Sequence, residues 1–186
     1  MAVPENHYHA VQFYKDDASL AKTVARFFEE GLSAGEPAVM IATPAHTRAI
    51  LRALSASGTN VRSLCRSGQL QTLDADKVMA SFMGSGTVDE VLFKSNVGDV
   101  IERLCQDRKP CPIRAYGEMV DVLWRRANAD GAIQLEMLWN RVAARAEFSL
   151  LCGYAVGNFY KEIANGPTMQ TVCEQHNHVI PAEKSA

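Results

Sequence analysis

Hydrophobic and polar positions along this chain alternate between two periods, short apolar runs and longer stretches with apolar residues three and four apart. His7-Tyr8-His9-Ala10-Val11-Gln12-Phe13-Tyr14 is aromatic and branched, and predicts a first strand ending near Tyr14. Asp16 and Asp17 offer an N-cap ahead of Leu20, Val24, Phe27 and Phe28, a helical face that stops between Gly31 and Gly35. The run 37–42 is continuously apolar, as in a strand covered on both faces, which argues for a parallel sheet. Thr43 and Pro44 then read as N-cap and first position of a helix carrying Ile50, Leu51 and Leu54.

Beyond Gly58, Val61–Leu64 reads as a short strand and 68–73 as a better one ending at Asp74. A helical segment spans 75–83, and Gly84-Ser85-Gly86-Thr87 is the expected hinge or lid. A helix over 88–106 carries Val91, Leu92, Val97, Val100, Ile101 and Leu104, and is closed by Pro110 and Pro112. The strand 112–116 runs through Gly117 into a helix with Met119, Val120, Leu123 and Trp124 on its buried side. After a break at 128–131 a further helix bears Ile133, Leu135, Leu138 and Trp139. A last apolar strand, 148–154, leads into a short helix at 156–163. Weak periodicity after Gly166-Pro167 marks 167–186 as a tail behind a single domain, 1–166. The pattern predicts a three-layer α/β domain with a mostly parallel sheet of about five or more strands and helices on both faces.

Composition narrows the function. A length of 186 residues with 47% hydrophobic content supports one buried core, and a net charge of −2 offers no basic surface for direct nucleic-acid binding. No apolar run is long enough for a membrane span, and there is no secretory leader, so a cytoplasmic protein is expected. Five scattered cysteines without a CxxC pair read as buried small hydrophobes, Cys152 among them, with no disulfide framework. Cys173, His176 and His178 approach metal-ligand spacing but lack adjacent further ligands, so no metal site is assigned.

In a parallel sheet the carboxyl ends of the strands face the ligand crevice. Tyr14, Thr43, His46, Asp74, Tyr116 and Glu118 all fall at or just past such ends and form the candidate ligand site. Four of them have a structural alternative: Asp74 as a helix cap, Tyr116 as core, Glu118 as a first-turn carboxylate, His46 as a solvated helix residue. Glu136, Trp139 and Asn140 share one helical face and are a second candidate set, with Trp139 equally at home in the core. The segment 43–48 has neither the glycines nor the lysine of a phosphate-binding loop, which argues against nucleotide hydrolysis by the usual route.

Seven segments in order carry a resemblance: His9–Tyr14, Gly31-Leu32 with Gly35-Glu36, Ile41–Thr43 with His46, Leu73–Ala75, Arg114–Val120, Leu135-Glu136 with Leu138–Asn140, and Phe148–Tyr154. Together they resemble the MEDS domain, the methanogen/methylotroph sensory domain also found in the dichloromethane-responsive repressor, over about residues 7–180, including the Cys-x-x-His-x-His end at 173–178. The resemblance implies a sensory fold related to RecA-type ATPases that recognises small organic compounds and is often joined to a histidine kinase or DNA-binding domain. No kinase or helix-turn-helix motif is visible in this chain. The expectation is a non-enzymatic sensor signalling through a protein partner such as a histidine kinase, or through its own dimerisation. The alternatives are a degenerate nucleotide binder or hydrolase with Glu118 as general base, and a homodimeric interaction module using the helix face around Trp124 or the tail. No cofactor follows from the sequence.

Overall fold

A computed structural model describes residues 8–105, 111–144, 148–160 and 166–182. The elements run β1 (Tyr8–Tyr14), α1 (Asp17–Ser33), β2 (Ala38–Ala42), α2 (Pro44–Ala56), α3 (Val61–Arg66), β3 (Leu70–Asp74), α4 (Ala75–Ala80), β4 (Met83–Gly84), β5 (Thr87–Val88) and α5 (Glu90–Cys105). They continue as β6 (Ile113–Gly117), α6 (Met119–Arg125), α7 (Ala129–Ala143), β7 (Phe148–Ala155), a 3-10 turn (Val156–Phe159), α8 (Met169–Cys173) and β8 (His178–Ile180).

Six strands form one sheet in the order β3-β2-β6-β7-β1-β8, every pairing parallel. Alternate side chains feed two cores. Ala10, Tyr14, Met40, Tyr116 and Leu151 meet the apolar stripes of α1 and α2 on one face. Val11, Phe13, Val39, Ile41, Leu150, Cys152 and Tyr154 meet helices α4 to α7 on the other. This is the three-layer arrangement of a RecA-like or Rossmann-like domain, as the apolar runs predict. Since α2 leaves β2 on one face and α6 leaves the adjacent β6 on the other, the chain divides there, at the carboxyl ends where open sheets commonly hold their ligands.

Local chemistry accounts for most boundaries. The Asp16 side chain accepts from Ser19 N, and Thr43 caps α2 with Pro44 behind it. Helix α1 runs through Gly31, where a Cβ would meet the Arg114 side chain, and Gly35 at φ +81° makes the turn beyond.

Several expectations are corrected. Residues 61–64 are helical, because the Asn60 side chain caps Ser63 N and Val61 and Leu64, three apart, pack as one turn of α3. The expected hinge is a two-stranded hairpin, β4-β5, with Ser85 and Gly86 both at positive φ. Of the apolar residues assigned to α5, Val97 and Leu104 are buried, joined by Phe93, whereas Val91 and Leu92 are 75% and 47% exposed. Trp124 is buried against Tyr154 and Phe159 and offers no interaction face. Cys105 and Cys111 form a disulfide, contrary to the expectation of free thiols throughout. The segment set apart as a tail supplies α8 and the edge strand β8, which pairs with β1 through Ala10, Val11 and Gln12. His7, Pro110 and 161–163 of the last predicted helix lie outside the described residues.

Candidate functional site

At the division between β2 and β6, five of the six strand-end candidates converge. Gly117 ends β6, and the chain turns so that the Glu118 side chain, wholly buried, reaches across to the start of α2. Its carboxylate accepts from the Thr43 backbone N–H, lies 2.5 Å from His46 Nδ1 and accepts from the Tyr116 hydroxyl at 3.1 Å. Desolvating a carboxylate costs several kcal/mol, and here three donors and a helix amino terminus offset that cost. His46 continues the chain through Nε2 to Asp17 at 3.2 Å, and its ring stands edge-on to Tyr14. The hydrogen bond to Glu118 raises the His46 pKa above its ordinary value, against the opposing effect of burial.

Tyr14 leads to a second carboxylate that the sequence did not single out. Its hydroxyl donates to Asp121 Oδ2 at 3.2 Å, while Asp121 Oδ1 accepts from Ala155 N and Asn158 Nδ2, and Arg125 lies 3.0 Å from Oδ2. Burial raises the Asp121 pKa, with the Ala155 amide and Arg125 opposing it. Burial, reinforced by the neighbouring carboxylates, also pushes the Tyr14 and Tyr116 phenols up, so both serve as neutral donors. The carboxyl edge is therefore laced shut by its own side chains.

Asp74 shares this edge but not the network. Its carboxylate caps α4, accepting from Asp76 N and Lys77 N. It also stands on the rim of a cleft of about 620 Å³ between α4, α5 and the face of β2 and β3. Val39, Ile41, Leu73, Val97 and Trp139 supply its apolar lining, and Lys77, Asn96 and Arg103 polar groups. A smaller recess of about 320 Å³, bounded by Pro44, Thr47 and Arg48, shares Thr72, Leu73 and Asp74 with it.

The second candidate set divides. Trp139 packs in the core against Phe93 and Phe148 while contributing to the cleft wall. Glu136 and Asn140 turn the other way along α7, towards β1 and β7. Glu136 Oε1 accepts from the Tyr154 hydroxyl at 3.0 Å, and Oε2 lies 3.4 Å from His9 Nε2, 3.3 Å from Cys152 Sγ and 3.5 Å from His176 Nε2. Burial alone would raise the Glu136 carboxyl, but His176 and His9 outweigh it and hold it below the usual carboxylate range. Of the three tail residues with metal-like spacing only His176 joins this group; His178 is exposed and stacks on Tyr8. No local signal could have revealed the group, since its members come from four separate elements.

The architecture defines a class: an open, parallel α/β domain with polar side chains gathered at its carboxyl edge and an apolar cleft beside them. The family model for the methanogen/methylotroph, DcmR sensory domain (MEDS) matches residues 8–176, and the chain belongs to this family of sensory domains. No curated protein matches the chain. Among the described residues no helix is long and apolar enough to cross a membrane.

Proposed function

We propose that this chain is a cytoplasmic sensor that takes a small, largely apolar organic molecule into the cleft beneath α5 and passes the resulting change to a protein partner. The carrying observation is the cleft itself: about 620 Å³, apolar at its base and polar at its rim, the build of a small-molecule site. Lys77 and Arg103 stand with Asp74 and Asp99 in the polar part of the lining and suit a hydroxyl on the ligand. One helix links the cleft to the surface, for α5 contributes Val97, Val100 and Ile101 to the wall and carries exposed Val91 and Leu92 at its other end. A ligand that binds one position of α5 better than another shifts the population of that position, and a kinase or regulator touching the exposed end reads it.

The filled crevice at Glu118 favours this reading over hydrolysis. A general base needs a substrate within reach, whereas this carboxylate already accepts from Thr43 N–H and Tyr116 and pairs with His46.

Titration calorimetry and Trp139 fluorescence with short alcohols, carboxylic acids and halogenated alkanes test the proposal. At least one class binds the wild-type chain with a negative heat-capacity change, and Val100→Trp, which fills the cleft, abolishes that binding without loss of the folded circular-dichroism spectrum. Absence of binding by every class, or binding indifferent to Val100→Trp, overturns it.

A further inference from the structure

Four side chains distant in sequence meet in the core between β1, β7, α7 and the turn after α8: His9, Glu136, Cys152 and His176. His9, Glu136 and Cys152 are wholly buried and His176 is 8% exposed, and their ligand atoms all lie within 4.8 Å of one another. We propose that these four residues bind a divalent transition-metal ion of the zinc or ferrous-iron kind, closing the carboxyl-terminal segment onto the sheet.

The spacing fits. A tetrahedral ion held at ordinary zinc–nitrogen, –oxygen and –sulfur bond lengths sets its ligand atoms about 3.3–3.6 Å apart. His9 Nε2 to Cys152 Sγ is 3.5 Å, His9 Nε2 to Glu136 Oε2 3.4 Å, Cys152 Sγ to Glu136 Oε2 3.3 Å and His176 Nε2 to Glu136 Oε2 3.5 Å. A set of two imidazoles, a thiolate and a carboxylate suits a borderline cation better than calcium or magnesium, which take oxygen ligands.

The surrounding hydrogen bonds point the same way. Asn140 Nδ2 donates to the Gln175 carbonyl, which orients Asn140 Oδ1 as an acceptor 2.8 Å from His9 Nδ1. His9 therefore carries a proton on Nδ1, and in the neutral ring Nε2 presents a lone pair to the cluster. His176 Nδ1 lies 2.7 Å from the Val172 carbonyl, which can only accept, so its Nε2 is likewise directed inward as a lone pair. Among the described residues His176 Nε2 has no hydrogen-bond partner although it is buried. When both rings are neutral, two imidazole nitrogens face a carboxylate and a sulfur, an electron-rich pocket that a cation satisfies; in the metal-free chain His9 Nε2 and Glu136 Oε2 both contact Cys152 Sγ. Tyr154 holds the remaining Glu136 oxygen, so each imidazole and the carboxylate has the outer partner usual for a metal ligand.

Full burial of all but a sliver of His176 removes the route a substrate would need, and four protein donors fill a tetrahedral shell, so the ion is structural. Asn177 locks the same turn to β1 by exchanging hydrogen bonds with the His9 backbone in both directions, which presents His176 to the cluster. On binding, the Cys152 thiol releases its proton to solvent and its sulfur bonds the metal; no electrons change hands.

The test uses the untagged full chain, purified without chelator and analysed by elemental mass spectrometry, then stripped and reloaded with cobalt(II). Near-stoichiometric zinc or iron in the purified chain, with cobalt giving the intense visible bands of a tetrahedral site and a thiolate-to-cobalt charge-transfer band, is the expected result. Cys152→Ser loses the charge-transfer band, whereas Cys65→Ser and Cys173→Ser keep it. If Cys152→Ser fails to fold, the wild-type chain still decides, because chelation lowers its melting temperature and the metal restores it. A folded wild-type chain that neither retains nor accepts a metal overturns the proposal, as does a charge-transfer band that survives Cys152→Ser. None of these readouts involves an organic ligand, so the outcome is independent of the cleft.

Discussion

The carboxylate of Glu118 lies 2.5 Å from Nδ1 of His46 at the point where the helices following β2 and β6 part to opposite faces. Neither residue would be comfortable there alone, since one is wholly buried and the other nearly so. Breaking a buried pair by removing one partner costs about 3–5 kcal/mol where the remaining charge is uncompensated, a cost that Thr43 and Tyr116 reduce for Glu118 and Asp17 for His46.

Stability therefore depends on pH through His46. Glu118, reinforced by Asp17, raises its folded-state pKa above the ordinary 6.5 against the opposing effect of burial, and the neighbouring Tyr14 ring faces it edge-on as a neutral group. A base whose pKa is raised by folding contributes fully below its unfolded value, and that contribution is lost as pH rises through the folded value. Urea midpoints should fall from mildly acidic to alkaline pH, and His46→Gln should flatten that fall. An unchanged slope in the variant would refute the assignment.

Gly153 sits where β7 passes beneath Tyr116. A Cβ there would come within 2.8 Å of the Tyr116 hydroxyl, displacing it from Glu118. Gly153→Ala should cost about 1–3 kcal/mol by chemical denaturation. Gly157→Ala, with open space at the same test, is the matched control and should change stability little.

Asp74 has a plain structural duty that can be separated from any role on the cleft rim. Because its side chain accepts from two amides of α4, Asp74→Ala should destabilise by about 1 kcal/mol, whereas Asp74→Asn keeps the cap and stays within a few tenths. Thermal melts of the two variants distinguish capping from charge.

Reduction of the Cys105–Cys111 disulfide reopens a short loop at the end of α5. Loop closure of this size is worth about 2 kcal/mol in the chain-entropy picture. Denaturation of the wild-type chain with and without reductant should differ by that amount, and Cys105→Ser should be insensitive to reductant.

These residues also mark how far the sequence could be read. Apolar runs at 8–14, 38–42, 113–117 and 148–155 have the length and branching of covered strands, so the parallel sheet and its carboxyl edge were legible, and with them the meeting of Tyr14, Thr43, His46, Tyr116 and Glu118. Val61 and Leu64 were ambiguous, because a three-residue spacing serves one helical turn as well as a short strand, and Asn60 decides it as a cap. β8 was hidden because it is a three-residue edge with two exposed side chains. Asp121 looked like an ordinary helix acid, and only the approach of β1 and β7 gives it Tyr14 and Ala155. His9, Glu136, Cys152 and His176 share no motif; strand register and helix placement bring them together.

The Thr43 amide at the head of α2 donates to Glu118, a group covalently joined to the same molecule. In open sheets of this kind that amide direction commonly greets a phosphate oxygen arriving from solution. Here a dissolved phosphate ester would meet a rival that never diffuses away and that gives up no translational freedom to stay. The amide is thus satisfied from within the fold, and any incoming anion has to displace an internal carboxylate before it can use it.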